Sequence, residues 1–506
     1  MAFACGGLGA VVLLSSLVSA TGLGSSSSCQ GHCRSWTDDC WCNDACESHG
    51  NCCADWAAVC GGAASCARCG TYTCDDWIRW DPQKYSCASL KQDWGCDCSG
   101  CSSCSAALGS ADLVLLNDAK HPQARCLDGS MAGYYWRQGA AEGRYLLFFE
   151  GGGWCYDANC DSPTAEGTLA DCRKRSEGRL GSSNSWSATK DGSWFTGMLS
   201  SDLLQNPIFN NWTLIYLPYC DGTSWSGDAV VDGLHFRGRA ILDAVMTELG
   251  DVRGITSASQ VVLSGGSAGA SAVLWHGDAL AGRLRRVAPA AEVVALPDAG
   301  FFLDLPDRWG TSCWPRQMRS IFNVSSGYGS LHAGCLGRFP EEPWRCLFPQ
   351  YYADMISTRT LVLHSLYDLS ELQSTLRLDC CPGGCSGYPT CKPGGEEMAL
   401  FEGLRAQHLA AWAPLLHRRG NGVWAPACVD HTMSWNHWTD PAWEVPAGSG
   451  HTLAAVVQEW LDFGRAPVFS ADKHFVFQDN VSWPENKGCA HSKLAPFVSE
   501  SADLDI

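Results

Sequence analysis

A Gly-x-Ser-x-Gly pattern directly after a short apolar run constrains the fold of this chain more than any other stretch. Residues 261–263 form the apolar run, Gly265, Ser267 and Gly269 form the pattern, and good helix formers follow over residues 270–275. In a sharp strand-to-helix turn, the two glycines remove the Cβ atoms that would clash where strand and helix cross. The N–H groups of the helix N-terminus then point at the serine and favour a developing oxyanion. The stretch predicts a nucleophile at Ser267, and a Gly/Ser-rich turn in a buried strand is the alternative.

The length and charge of the chain limit its organisation and its partners. With 506 residues and 46% apolar side chains, the chain is long enough for one large core and smaller modules. Its formal net charge of −18 argues against a nucleic-acid or anionic-membrane partner, because either needs a basic face. We therefore expect a globular protein that does not bind nucleic acid.

The first residues predict a secretory signal peptide over residues 1–20. An apolar run over residues 8–18 ends in a small-x-small cleavage pattern at Val18, Ser19 and Ala20. A membrane anchor is the alternative, but the run is too short to span a bilayer. We expect no transmembrane segment after signal removal and a secreted protein of the extracellular space, with cell wall or matrix as possible destinations.

Cysteine usage agrees with an oxidising compartment. The chain has 31 cysteines, which a reducing cytosol would keep as thiols but which secretion turns into crosslinks. Cys5 lies within the signal, so an even number remains in the mature chain. Three Asn-x-Ser/Thr sequons predict N-glycosylation at Asn211, Asn323 and Asn480.

The segment over residues 29–61 is too short for a hydrophobic core of its own, so disulfides must hold it together. Its cysteines are Cys29, Cys33, Cys40, Cys42, Cys46, Cys52, Cys53 and Cys60. Their order, with the adjacent pair Cys52 and Cys53, resembles a somatomedin-B-like domain. The resemblance implies a disulfide knot that binds an extracellular protein or serves as a spacer; zinc binding is the alternative.

A second cysteine-rich segment covers residues 66–104. Its cysteines are Cys66, Cys69, Cys74, Cys87, Cys96, Cys98, Cys101 and Cys104. The spacing favours another disulfide module. Aspartates next to these cysteines, such as Asp75 and Asp97, leave a metal site as the alternative.

From about residue 111, apolar strand-like runs alternate with helical patterns, as in α/β domains. We predict strands over 144–150, 212–219, 292–298 and 359–368, and helices over 236–249 and 451–463. The expected fold is a mostly parallel sheet with helices on both faces. It covers residues 111–466, and a turn-rich tail follows over 467–506.

A serine that transfers acyl groups needs a base, a carboxylate that orients the base, and N–H donors for the oxyanion. Ser267, Asp368 and His431 follow strand-like runs in the order Ser, Asp, His that is typical of α/β-hydrolases. Each role has alternatives at this point. Asp298 also ends a strand-like run, and the other candidate bases are His276, His364 and His437.

Several ordered motifs over residues 111–464 resemble the pectin acetylesterase and Notum family of carboxylesterases. They lie at residues 126–130, 149–155, 219–228, 236–238, 263–269, 297–304 and 348–351. Two features concern the branch within this family. Gly266 stands where pectin acetylesterases typically carry a cysteine, whereas the stretch from Gly151 to Cys155 is nearer to the pectin acetylesterase form than to the Notum form.

The resemblance implies an α/β-hydrolase fold and a role for individual residues. Ser267 resembles the family nucleophile, His431 the base and Asp368 the orienting acid. The oxyanion N–H groups are those of Gly152, Gly153 and Ala268. Asp298 becomes a wall of the substrate pocket, with Trp225, Phe301, Phe302 and Trp438 as further pocket residues that line a cavity or a carbohydrate-stacking surface. The mechanism requires no metal and no organic cofactor.

Three functions follow as hypotheses. The first is a secreted serine esterase that removes acetyl groups from a polysaccharide. The second is a Notum-like deacylase of lipid-modified protein, with the same chemistry and a deeper acyl pocket. The third is a catalytically dead scaffold that binds partners through its N-terminal modules. The expected partners are accordingly an acylated polysaccharide or an acylated protein, and an extracellular protein at the somatomedin-B-like module.

Overall fold

The computed structural model describes residues 68–80, 85, 90, 94–98, 101, 109–378, 395–463, 475–483, 485–486 and 488–489. The chain divides into two compact units, Met1–Cys104 and Ser105–Ile506. The predicted signal peptide over 1–20 and the somatomedin-B-like cysteines from Cys29 to Cys60 lie outside the described residues.

In the first unit, short secondary structure is held by disulfides. Strand β1 (Arg68–Cys69) pairs antiparallel with β2 (Tyr72–Thr73), and helix α1 (Cys74–Trp80) follows directly. The described disulfides are Cys69–Cys96 and Cys74–Cys98. Every described cysteine of this unit is disulfide-bonded, so none of these sulfurs is a thiolate available to a metal.

The second unit is built on a ten-stranded sheet within the described residues. Its strands and those of two small ladders are, in chain order, β3 (Ala111–Leu115), β4 (Gly133–Arg137), β5 (Arg144–Phe149), β6 (Thr189–Lys190), β7 (Thr213–Leu217), β8 (Ala229–Val231), β9 (Leu234–Phe236), β10 (Gln260–Gly266), β11 (Glu292–Asp298), β12 (Arg359–Leu363), β13 (Tyr367–Asp368), β14 (Gly422–Ala425), β15 (Val429–Asp430) and β16 (Phe475–Gln478). The sheet order is β16-β14-β12-β11-β10-β5-β7-β4-β3-β6. Neighbours from β16 to β7 are parallel, and β4, β3 and β6 pair antiparallel.

Strand β10 lies in the middle of the parallel part, between β5 and β11. All of its residues are buried, as expected for a parallel strand that is covered on both faces. Val261 and Leu263 belong to one core cluster, and Val262 belongs to the other. The alternation of a strand thus divides a continuous apolar run between two layers.

Helices cover both faces of this sheet. They are α2 (Ala165–Ser176), α3 (Gly238–Asp251), α4 (Ala268–Val287), α5 (Cys313–Ser325), α6 (Ala333–Arg338), α7 (Glu396–Leu416), α8 (Met433–Asn436) and α9 (Leu453–Phe463). Val273 of α4 and Leu404 of α7 pack in the cluster that contains Val261, whereas Val456 and Trp460 of α9 pack in the other. The predicted α/β-hydrolase-like fold is confirmed.

Two stretches differ from the strands expected from the sequence. The run predicted as one strand over 359–368 is broken, because β12 ends at Leu363 and β13 pairs with β15 in a separate ladder. The break lies opposite Pro426, which has no N–H group to continue the pairing with β12. In addition, β16 lies within the predicted tail and pairs with β14, so the sheet continues beyond residue 466.

The asparagines of the predicted sequons, Asn211, Asn323 and Asn480, are exposed. Across the described part of the chain, none of the helices combines the length and the apolar character that crossing a membrane would require.

Candidate active site

Ser267 occupies the turn between β10 and α4 with a strained backbone. Its φ is 54° and its ψ is −125°, a region that residues other than glycine rarely adopt. The N–H of Ser267 donates to the carbonyl oxygen of Asp298 at 2.9 Å, and the N–H of Ser271 donates to the carbonyl of Ser267 at 3.0 Å. These bonds hold the turn, and the serine is partly exposed while its neighbours are buried.

The glycines of the pattern are required by close packing. A Cβ at Gly265 would lie 2.7 Å from the carbonyl oxygen of Gly269, and a Cβ at Gly269 would lie 2.1 Å from the carbonyl oxygen of Phe149. Both distances are too short for any side chain. The beginning of α4 therefore lies against the ends of β10 and β5, which fixes where Ser267 points.

His431 contacts Asp368 directly. Its Nδ1 lies 2.8 Å from Oδ2 of the carboxylate, which is fully buried, whereas the imidazole is 21% exposed. The other oxygen, Oδ1, accepts the N–H of Glu371 at 3.1 Å. A histidine that donates from Nδ1 keeps Nε2 as its proton-accepting nitrogen.

The pKa of His431 is raised above its ordinary value. Burial lowers this pKa, but the charge of Asp368 and its hydrogen bond to Nδ1 outweigh the burial. The imidazole is thus a stronger base than a free histidine, which suits proton transfer near neutral pH.

The ladder between β13 and β15 brings these residues together. It places Asp368 opposite Asp430, the residue before His431. Oδ1 of Asp430 accepts the N–H of His431 at 2.6 Å, and its Oδ2 lies 3.0 Å from Nε2 of His437. Upstream of β15, the disulfide Cys428–Cys489 ties the same stretch to the C-terminal segment.

Asp298 connects the serine turn to the loop after His431. Its backbone carbonyl accepts the N–H of Ser267, while its carboxylate accepts the N–H groups of Met433 and Ser434 at 3.2 and 2.8 Å. Burial raises the pKa of this carboxyl group to about 6, although these hydrogen bonds lower it. Asp298 thus lies between the two chain segments, whereas the contact with the imidazole belongs to Asp368.

The glycine loop after β5 runs beside the serine. A Cβ at Gly151 would lie 3.0 Å from the Cβ of Ser267. Gly152 and Gly153 have φ values of 140° and 62°, which favour glycine. The guanidinium of Arg175 donates to the carbonyl oxygen of Gly152 at 2.7 Å.

The sequence did not predict the approach of Gly151 to Ser267 or the hydrogen bond from Arg175 to Gly152. The three consecutive glycines were a signal for the loop, but not for the close approach of Gly151 to the serine. Nothing in the sequence marked Arg175 as the residue that holds the loop. The disulfide Cys155–Cys172 fixes its far end to α2.

A cluster of aromatic side chains, Phe302, Trp154 and Trp314, lies beside His431. The ring of Phe302 lies 6.2 Å from the imidazole, centroid to centroid. Trp154 and Trp314 contact Phe302 at 5.6 and 6.0 Å and contact each other at 5.4 Å. Phe301 points elsewhere and packs on Trp412 at 6.3 Å.

The two tryptophans that were expected in the pocket are core residues. Trp225 is 1% exposed and packs between Phe149 and Tyr219, with ring centroids 5.0 and 5.1 Å away. Trp438 is equally buried and stacks on Phe209 at 5.8 Å. Both side chains belong to the hydrophobic core clusters of the second unit.

The alternative bases have other partners. His437 lies between Asp430 and Asp440. His276 contacts the carbonyl oxygens of Ser224 and Ser330. His364 contacts the carboxylate of Glu371. Of the four histidines considered, His431 is the one in contact with Asp368.

Comparison with known proteins gives two family matches and several relatives. The model of the Pectinacetylesterase family matches residues 104–490, and that of the Somatomedin B domain matches residues 27–63. The chain is 31% identical to Pectin acetylesterase 5 of Arabidopsis thaliana over 381 residues, which cover 71% of this chain and 83% of the relative. It is also 31% identical to Palmitoleoyl-protein carboxylesterase NOTUM of Homo sapiens over 413 residues, which cover 76% and 75% of the two chains.

Proposed function

Because this chain belongs to the pectinacetylesterase family, we propose that it hydrolyses acyl esters with Ser267 as nucleophile, His431 as base and Asp368 as orienting acid. The resemblance seen in the sequence is confirmed, and the protein is a carboxylic ester hydrolase. The 2.8 Å contact between Nδ1 of His431 and Oδ2 of Asp368 is the observation that carries the assignment. The strained turn at Ser267 supports it.

In the proposed mechanism, Nε2 of His431 takes the hydroxyl proton as Oγ of Ser267 attacks the ester carbonyl. Asp368 stabilises the imidazolium that forms. The N–H groups of Gly152, Gly153 and Ala268 bind the oxyanion, and each such donor lowers the barrier by about 3 kcal/mol.

The tetrahedral intermediate then collapses. The bond to the alcohol oxygen breaks, and the alcohol leaves with the proton from His431. Water, deprotonated by the same imidazole, attacks the acyl-serine and releases the carboxylic acid. The proton returns to Oγ of Ser267, so the enzyme ends the cycle unchanged and uses no cofactor.

A short acyl group on a polysaccharide is the substrate that we propose. Phe302, Trp154 and Trp314 pack against one another beside His431, and rings in mutual contact leave little space for a long chain. The names of the relatives do not decide this point. One is a pectin acetylesterase and another is a palmitoleoyl-protein carboxylesterase, both at 31% identity.

Removal of a protein-bound lipid by the same triad is the second candidate, and it requires these rings to move apart. The inactive scaffold has no support from the described residues, because every member of the proposed triad is present. We also propose that the protein is secreted and that its somatomedin B domain binds an extracellular protein.

A chain-length profile tests the function. We expect p-nitrophenyl acetate to give the highest kcat/KM among esters from acetyl to palmitoleoyl, because the packed rings of Phe302, Trp154 and Trp314 leave little space for a long acyl chain beside His431. We expect Ser267→Ala to lower kcat by at least about 10³-fold. Ser271→Ala, one helical turn later, is the matched control and should keep most activity.

Each outcome has a clear meaning. A maximum at long acyl chains favours the lipid deacylase. Wild-type turnover by Ser267→Ala contradicts the triad.

A further inference from the structure

Three titratable side chains that the proposed mechanism does not use contact one another near Asp368. They are His364, which follows β12, Glu371, which begins a π-helical turn (Glu371–Thr375), and His408 of α7. Oε2 of Glu371 lies 3.1 Å from Nε2 of His364 and 2.7 Å from Nε2 of His408. All three side chains are fully buried.

Glu371 is bonded to the catalytic surroundings on two sides. Its backbone N–H donates to Oδ1 of Asp368 at 3.1 Å. Its side-chain Oε1 accepts the N–H of Leu303 at 2.9 Å. Leu303 follows Phe302, whose ring lies beside His431. Glu371 thus contacts both Asp368, the acid of the proposed triad, and the segment that carries Phe302 beside His431.

The distances in this cluster are those of hydrogen bonds. A tetrahedral zinc ion with bonds of 2.0–2.1 Å would hold its ligand atoms about 3.3 Å apart, which is longer than the 2.7 Å between His408 and Glu371. Metal-bound imidazoles also donate their second ring N–H to a partner. Among the described residues, Nδ1 of His364 and Nδ1 of His408 have no such partner. Imidazoles that donate from Nε2 to the Glu371 carboxylate satisfy these distances better.

The charge balance agrees with this assignment. Burial raises the pKa of the Glu371 carboxyl group, but the interactions with His408 and His364 outweigh burial, and the net pKa is lowered. Burial lowers the pKa of the His408 imidazole, and the charge of Glu371 offsets only part of this effect. An ionised carboxylate is retained in the core because three N–H groups bind it.

We propose that Glu371 is a positioning residue of the esterase reaction, which fixes the Asp368 carboxylate with its backbone and the Phe302–Leu303 segment with its side chain. His364 and His408 hold the Glu371 carboxylate in place. The inference rests on the proposed triad. It assigns a role in the reaction to a buried cluster that contacts no reacting atom.

The test is Glu371→Gln in the full-length protein. The amide keeps the shape of the side chain but replaces one acceptor oxygen with an NH₂ group, which faces N–H donors. We expect kcat for p-nitrophenyl acetate to fall about 10-fold with KM changed less than about 2-fold, since misplacement of catalytic groups affects the transition state most. We also expect the acidic limb of the pH profile to move to lower pH, because a loosened Asp368 stabilises the imidazolium less.

Glu402→Gln is the matched control. Glu402 accepts a hydrogen bond from the hydroxyl of Tyr367, the neighbour of Asp368, at 2.7 Å. We expect the Glu402→Gln variant to have the wild-type kcat and pH profile. Activities are normalised to the serines that react with a fluorophosphonate. Wild-type kcat and an unmoved acidic limb in Glu371→Gln would overturn the proposal.

Two further measurements keep the result decisive. If Glu371→Gln does not fold, His408→Gln should retain more kcat than His408→Leu, because only the amide can still donate to Glu371; equal values overturn the proposal. One equivalent of a divalent metal in the wild-type protein that is lost in His364→Gln also overturns it. Ser267→Ala, measured in parallel, separates a failure of the triad from a failure of Glu371.

Discussion

In the proposed mechanism, the carboxylate of Asp368 sets the pH range in which His431 acts as a base. Since Asp368 raises the pKa of the imidazole and catalysis needs the neutral ring, activity is lost as the pH falls through this raised pKa. Asp368→Asn removes the charge, so the pKa of His431 falls. We expect the acidic limb of kcat/KM to move to lower pH while kcat drops by about 10³–10⁴-fold.

A pH profile with p-nitrophenyl acetate measures this effect. Asp440→Asn is the control, because Asp440 lies beside His437, which is not a member of the proposed triad. A limb in Asp368→Asn that stays at the wild-type pH contradicts the role given to Asp368.

Residues differed in how far the sequence could predict them. The sharp turn at Ser267 was predictable because its glycines are a local requirement. The apolar runs alone left Asp298 as an alternative to Asp368, and the family resemblance favoured Asp368; in the structure their difference arises from the pairing of β13 with β15, which are distant in sequence. Trp225 and Trp438 were expected at the pocket, but composition does not show which way an aromatic ring points. Glu371 had no local signal, because its partners come from other elements.

At the scale of elements, the approach of α4 to the sheet is the tightest constraint. Gly269→Ala places a Cβ 2.1 Å from the carbonyl oxygen of Phe149. We expect the free energy of unfolding to fall by about 3 kcal/mol or more. Gly277→Ala, in the same helix, meets nothing within 4 Å and should stabilise the protein by about 0.5–1 kcal/mol. Thermal unfolding of both variants is the measurement, and equal melting temperatures contradict this account.

The disulfide at the end of the glycine loop should affect catalysis as well as stability. Cys155–Cys172 and Cys335–Cys346 close loops of 17 and 11 residues, and each contributes about 3 kcal/mol by chain entropy. We expect paired Cys→Ser variants of either bond to lower Tm similarly. Only the Cys155 and Cys172 pair should also lower kcat, because it anchors the loop whose N–H groups we propose as oxyanion donors. Equal kcat values in the two variants contradict this expectation.

Elements were predictable where the local pattern was sufficient. The strand predicted over 292–298 was found at those residues as β11, and the helix predicted over 236–249 was found as Gly238–Asp251. The sequence did not show the break between β12 and β13, because it depends on Pro426, which directly follows the neighbouring strand β14. It did not predict β16 either, since a short edge strand is stabilised by its partner β14 rather than by its own pattern.

At the scale of the whole molecule, net charge should control which polysaccharides are bound. The formal charge of −18 repels a polyanionic chain, and salt screens this repulsion within a Debye length of about 10 Å at 0.1 M. We expect KM for an acetylated polygalacturonate to fall as NaCl is raised from about 10 to about 150 mM. KM for a neutral acetylated xylan should not change, and initial rates of acetate release measure both. A KM for the polyanion that rises with salt would indicate a basic binding surface.

The connection between β14 and the C-terminal segment has a consequence for the order of biosynthesis. All three proposed catalytic side chains have been translated once His431 leaves the ribosome. At that point β16, which pairs with β14, and Cys489, which forms the disulfide with Cys428, have not yet emerged. A nascent chain at this stage contains all three proposed catalytic residues, but the contacts that hold the segment before His431 in place have not yet formed. Activity is therefore expected to begin only after translation of residue 489 and oxidation of its thiol, so that the newly made esterase is inactive while it is still being synthesised.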